Sequence, residues 1–302
     1  MFFAKISTYK YYWINLFVFL FLGCVTLPLI SLKEVPLLEY PKPQKKHGIA
    51  LVLGAGGAKG LAHIAVIRQL EKAGIPIDFI VGSSAGSIVG ALYADLPDAK
   101  KWKSVLLNTK RIDMMGLTTT NPYSGLSSGS NLRKYLSKHL RSRLFEDLSV
   151  PLVVVATDLT SGEAVEFGSG SLIPAIHSAS AFPFLFKPVE HMNRHLVDGG
   201  VSNPIPADVA KNIGTSLVVA VDISGGLSGD FSYNLLGITK RSLQIMYKNH
   251  SEKSAKIADI VIKPDLLDVD TFGDSNNRFI YKAGKLAAKS SIPEIKKRLF
   301  IN

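Results

Sequence analysis

A serine set between glycines directly behind an apolar run is the first place in this sequence where chemistry could occur. Residues 78–87 read Asp78-Phe79-Ile80-Val81-Gly82-Ser83-Ser84-Ala85-Gly86-Ser87 and contain a Gly-x-Ser-x-Gly pentapeptide. On a sharp turn from a strand into a helix such a serine lifts its hydroxyl clear of the backbone, and the flanking glycines leave room for the turn. Ser84 is therefore the candidate nucleophile, and the dipole of the helix expected after it favours negative charge beside it. A serine hydroxyl attacks poorly at neutral pH, so it needs a base within hydrogen-bond reach and donors for the oxyanion that its attack creates. Gly54-Ala55-Gly56-Gly57-Ala58-Lys59-Gly60 offers the donors, as backbone N–H groups at the start of a helix. The same loop is not a dinucleotide fingerprint, because Lys59 stands where the third glycine is required, and no Gly-Lys-Ser/Thr follows to make a Walker loop.

The base is less obvious. In serine hydrolases of α/β type an acid and then a histidine follow the nucleophile. His250, within Met246-Tyr247-Lys248-Asn249-His250-Ser251-Glu252-Lys253, stands on what reads as an exposed polar helix and suits the part poorly. His63 falls in the helix after the glycine loop, and His177, His191 and His195 have no matching pattern. Asp198 ends the apolar run of His195-Leu196-Val197-Asp198-Gly199-Gly200, and the two glycines after it let the chain turn sharply, so that it can point its carboxylate into a shared cleft. Asp158 and Asp222 also end strands. Each of the three reads equally as a cap or turn residue, and spacing alone does not choose among them.

The elements that must hold these residues alternate between strands and helices. Continuous apolar runs at Gly48–Leu53, Ile77–Val81, Pro151–Thr157, Leu217–Val221 and Ile260–Ile262 have the character of strands buried on both faces. Helical patterns fill Leu61–Leu70, closed near Gly74, then Leu172–Ala179, Pro206–Asn212, Leu235–Ala258 and Arg278–Leu299, with a less apolar helical region between Pro97 and Leu148. Glu163–Phe167 reads as a short hairpin arm, and 118–129 as a polar loop, either a lid or a surface connection. The alternation predicts an α/β fold with a mostly parallel central sheet flanked by helices.

With 302 residues and 47% hydrophobic content, the chain suits one large α/β domain behind a short leader. Residues 1–30 combine Lys5 and Lys10 with the apolar run Tyr11 to Gly23, a pattern of a signal peptide or a membrane anchor; a buried core helix is the alternative. Phe21-Leu22-Gly23-Cys24 resembles a bacterial lipobox, with Phe21 where leucine is usual, making Cys24 a possible lipidation site. Residues 31–47 read as a linker and 48–302 as the domain. Either form of leader implies a membrane-associated protein whose body lies outside the bacterial inner membrane. The single cysteine excludes a disulfide framework and a cysteine-built metal site. A formal charge of +11 suits an anionic surface, whereas no dense basic block or nucleic-acid motif appears, so no nucleic acid is expected.

Four ordered motifs resemble the patatin-like phospholipase family: Gly56-Gly57-Ala58-Lys59-Gly60, Gly82-Ser83-Ser84-Ala85-Gly86, the block Ala179-Ser180-Ala181-Phe182-Pro183-Phe184-Leu185-Phe186-Lys187-Pro188, and Asp198-Gly199-Gly200. They span about 48–205, and residues beyond about 225 are less diagnostic. The resemblance implies a three-layer patatin-like fold and a Ser-Asp dyad with no histidine, Ser84 as nucleophile and Asp198 as base. Gly56 and Gly57 would supply oxyanion N–H groups, and Gly54, Lys59, Gly60, Gly82, Gly86, Gly199 and Gly200 would support the motifs. Lys59 would steady its loop, an exposed lysine being the alternative. Ala55 departs from the family's frequent glycine and leaves the donor at that position open. Phe182, Phe184, Leu185 and Phe186 would wall an acyl-chain pocket or belong to the core. No metal or cofactor is implied, and the partner is a membrane phospholipid or other acyl lipid. The competing readings are a carboxylesterase or thioesterase on small substrates, and a non-catalytic lipid-binding protein of the same fold.

Overall fold

Five short apolar runs become the parallel strands of one sheet. The computed structural model describes residues 48–110, 113–114, 116, 126–227, 232–267, 269 and 277–299; Cys24, the leader and linker, and 118–125 of the polar loop lie outside them. Strands β1 (Ile49–Leu53), β2 (Phe79–Ser83), β3 (Leu152–Asp158), β4 (Ala164–Phe167), β5 (Val189–His191), β6 (Arg194–Asp198), β7 (Leu217–Val221) and β8 (Ile260–Ile262) form a sheet of order β5-β6-β3-β2-β1-β7-β8, with β4 also on β3. The five strands from β3 to β8 along that path pair in parallel, whereas β4 and β6 run antiparallel to β3 and β5 antiparallel to β6. The sheet is thus mostly parallel, with an antiparallel margin beyond β3.

Helices α1 (Leu61–Lys72), α2 (Ala85–Asp95), α3 (Ala99–Asn108), α4 (Ser130–His139), α5 (Leu172–Ala179), α6 (Ala207–Ile213), α7 (Leu235–Ala255) and α8 (Asn277–Leu299) complete the described elements. Side chains alternate across a strand, and both sides of this sheet are covered. Ile49, Leu51, Leu53 and Ile80 pack with residues of α1, α2 and α8. Ala50, Val52, Phe79, Val81, Val153 and Val155 pack on the other side with Val209 and Ala210 of α6 and Ala255 of α7. Three layers result. No helix among the described residues is long and apolar enough to cross a membrane.

One expectation needs adjusting and one element is new. The strand expected from Ile77 begins at Phe79, because Asp78 instead takes the amide of Ile49 on its carboxylate at 2.9 Å. The β5–β6 hairpin, absent from the sequence reading, turns through Met192 and Asn193 at φ 50° and 59°, two successive left-handed residues of the kind a tight hairpin requires.

Candidate active site

The register of the sheet brings two strand ends level across β3. Ser83, the last residue of β2, is paired with Val155, and Asp198, the last residue of β6, with Ala156. The residue after β2 is Ser84, and it sits in a turn at φ 54°, ψ −122° before α2 begins at Ala85. A non-glycine residue there is strained, on the order of 1–3 kcal/mol, and persists only where its surroundings enforce it. Gly86 supplies the room: a Cβ on it would lie 1.9 Å from the carbonyl oxygen of Leu53, so α2 rests directly on the end of β1. Gly82 faces the backbone of Gly86 in the same turn.

Ser84 Oγ donates to Asp198 Oδ2 at 2.6 Å, and the amide of Gly200 donates to Asp198 Oδ1 at 2.8 Å. Both side chains are buried. Burial pushes the Asp198 carboxyl up from its ordinary 3.8 to about 7, against the opposing pull of the Ser84 and Gly200 hydrogen bonds. A base poised near neutrality accepts a proton from serine and returns it to a leaving group.

The block Ala179–Ala181 fastens the pair. The amide of Ser84 donates to the Ala179 carbonyl at 3.0 Å, the amide of Asp198 to the Ala181 carbonyl at 3.0 Å, and Ser180 Oγ to the Ser84 carbonyl at 3.1 Å. Thr157 Oγ1 donates to the Asp198 carbonyl at 2.8 Å. Ser180 and Thr157 are therefore positioning residues that sequence reasoning did not single out, although Ser180 lay within a motif it quoted.

Gly54 to Gly60 leave β1 beside this turn. The amide of Gly54 donates to the Val221 carbonyl at 3.1 Å, and that of Ala55 to the Pro204 carbonyl at 2.8 Å, so the donor at the position where the sequence departs is already engaged. Among the described residues no acceptor takes the amides of Gly56 and Gly57. Gly57 has φ 56° and opens the single 3-10 turn Gly57–Gly60, which leads into α1, and Gly60 packs against Ala85. Lys59 is 1% exposed, not a surface lysine, and its Nζ donates to the Ser224 carbonyl, tying the loop to the chain beyond β7. Gly199 lies over the Val155 carbonyl of β3, where a side chain would meet the strand backbone.

The other acids and the histidines are occupied elsewhere. Asp158 pairs with Arg194 at 2.7 Å, and Asp222 pairs with Lys263 at 3.3 Å while accepting the Ser224 amide at 2.9 Å. His63 Nε2 donates to the Gly54 carbonyl at 2.8 Å, and Arg133 donates to His177 Nδ1 at 3.2 Å. Burial pushes both imidazoles down to about 4, with Arg133 adding to the effect at His177, so both are neutral near pH 7. His250 is half-buried on α7. Of the four apolar residues expected to wall a pocket, Phe186 is buried, Phe182 and Leu185 are half-buried, and Phe184 is exposed. The Phe182 ring lies 5.8 Å from that of Tyr247 on α7, which brings a residue of the apparently polar helix to the site. Among the described residues no group of three or more His, Cys, Asp or Glu could hold a metal ion.

Comparison with known proteins fits this geometry. The family model described as patatin-like phospholipase matches residues 51–211. Patatin-like phospholipase domain-containing protein 6 of Mus musculus is 34% identical over 191 residues, which are 61% of this chain and 14% of that protein. An uncharacterized NTE family protein of Mycobacterium bovis is 31% identical over 252 residues, 83% of this chain and 68% of that one. The solved structure of VipD from Legionella pneumophila shares the fold at a TM-score of 0.57 and 15% identity, covering 83% of this chain and 67% of that chain.

Proposed function

The chain belongs to the patatin-like phospholipase family, and on that premise we propose that it is a serine hydrolase cleaving fatty acyl esters of membrane lipids with Ser84 and Asp198. The observation that carries this reading is the buried 2.6 Å hydrogen bond from Ser84 to a carboxylate held near neutrality. Asp198 takes the Ser84 proton as Oγ attacks the acyl carbonyl. The oxyanion is met by the Gly56 and Gly57 amides, and collapse expels the alcohol, which takes the proton back from Asp198. Water activated by Asp198 then releases the fatty acid from the acyl-enzyme. Because the chain spans 14% of the length of the mammalian relative, substrate and activity are inferred from this site rather than from that protein.

The test measures fatty acid release from phospholipid vesicles and hydrolysis of short p-nitrophenyl esters side by side. Ser84→Ala and Asp198→Asn are each expected to lose about 10²-fold or more on both substrates. Turnover of the soluble esters alone would point to a general esterase, and vesicle binding without any turnover to a lipid-binding role. The proposed location is membrane-associated, with the body of the protein outside the bacterial inner membrane and tethered by lipidated Cys24 or an uncleaved leader. Labelled fatty acid retained by Cys24→Ala would rule out lipidation at that residue.

A further inference from the structure

Helix α7 lies beyond the 51–211 match, yet it closes one side of the dyad. At 100° per residue, Tyr247, Ser251 and Ser254 share its inward face, and the two serines are buried. The Tyr247 ring sits against the Asp198–Gly200 turn: a Cβ on Gly200 would lie 2.4 Å from Tyr247 Cε1 and 3.0 Å from Asp198 Oδ1. The ring edge that carries the phenol and the catalytic carboxylate therefore border the same point. The phenol oxygen is buried and has no hydrogen-bond partner among the described residues. A buried polar group left unpaired costs stability, and such exceptions in folded proteins call for an explanation. Burial and the nearby Asp198 push this phenol well above its ordinary range, so it holds its proton and has it to donate.

We propose that Tyr247 contacts the substrate by donating a hydrogen bond to the alkoxy oxygen of the departing alcohol. The inference rests on the acyl hydrolase reading. When the tetrahedral intermediate collapses, the bond from the acyl carbon to the alkoxy oxygen breaks, and the proton that Asp198 took from Ser84 passes to that oxygen. The alkoxy oxygen must then stand within hydrogen-bond reach of Asp198, whose turn into Gly200 the Tyr247 ring borders. Gly56 and Gly57 serve the carbonyl oxygen, and neither supplies a donor for the leaving group. A fixed donor aimed at developing charge in a dry site stabilises the transition state. Tyr247 keeps its own proton throughout.

The experiment compares wild type with Tyr247→Phe on a series of soluble butyrate esters whose leaving groups run from p-nitrophenol to simple alkyl alcohols. The readouts are kcat/KM and thermal stability. A lost leaving-group donor predicts a loss that grows along the series, with the alkyl end falling about tenfold further than the aryl end. Melting should be unchanged or higher, because the ring stays while an unpaired hydroxyl is removed. An equal loss on every ester would overturn the proposal in favour of packing, as would no loss at all. A clearly lower melting temperature would also overturn it, since the hydroxyl would then already be paired in the free protein. A wild type inactive on the whole series and on phospholipid vesicles would instead overturn the acyl hydrolase reading, and this inference with it.

Discussion

On the proposed mechanism Asp198 must be both buried and charged, and these demands pull its pH behaviour in opposite directions for stability and for catalysis. Its carboxyl rises from 3.8 to about 7 on folding, so between those values the native state binds more protons than the unfolded chain. By linkage, its contribution to stability falls as pH rises from about 4 to about 7 and is level above that. The base-competent fraction runs the other way, so kcat/KM on a soluble ester should rise with pH to a plateau above about 7, checked by a pH–rate profile. Asp198→Asn removes the buried charge and retains an oxygen for the Gly200 amide. At pH 8 it should therefore exceed the wild type in stability by on the order of a few kcal/mol while being inactive, with the difference shrinking towards pH 4. Denaturant unfolding at both pH values checks this; a difference independent of pH would remove burial as the cause of the shift. Spacing in the sequence did not separate Asp198 from Asp158 and Asp222, because all three end strands. What separates them is non-local: Arg194 and Lys263 claim the other two, whereas the β3 register sets Asp198 opposite Ser84.

At the scale of elements, the β2–Ser84–α2 turn exists because α2 approaches β1 without an intervening side chain. Gly86→Ala would place a methyl 1.9 Å from the Leu53 carbonyl oxygen, and neither backbone can yield without moving the sheet or the helix. A loss of about 3 kcal/mol or more is expected, read as a lower denaturation midpoint, together with lost activity as Ser84 shifts. A stability unchanged by this substitution would mean that the turn is looser than drawn. The same close packing explains which elements could be read beforehand. β1, β3 and β7 are buried along their whole length, so they appear as continuous apolar runs. The β5–β6 hairpin lies at the sheet margin, and its mixture of Glu190, His191, Arg194 and His195 hides the strand pattern. Helix α7 misled for a different reason. Its inward face carries Tyr247, Ser251 and Ser254, polar residues whose burial depends on neighbours far away in the sequence, so the helix read as solvated on all sides.

For the molecule as a whole, the opposite face of α7 raises the question of what it meets. Leu235, Ile238, Ile245 and Met246 fall on one stripe, and Leu235 and Met246 are 85% and 65% exposed. Two residues beyond Phe182, whose ring meets Tyr247, Phe184 is 54% exposed, so a further apolar side chain stands open on this part of the surface. The chain carries +11 overall. On the reading that the substrate lies in a membrane, positive charge draws the protein to an anionic surface and the apolar stripe enters the headgroup region. Each large aliphatic side chain so buried contributes about 1.5–3 kcal/mol, so Leu235→Ser with Met246→Ser should reduce hydrolysis of anionic vesicles by at least about tenfold. Both positions point away from Ser84, and turnover of a short soluble ester should stay within about twofold. Vesicle binding should weaken as salt is raised, because the attraction to the surface is screened over a Debye length of about 8–10 Å. Sedimentation with vesicles of graded anionic content, run beside both assays, separates the two effects. Equal losses on vesicles and soluble ester would place the stripe in the folding of the domain rather than at a membrane.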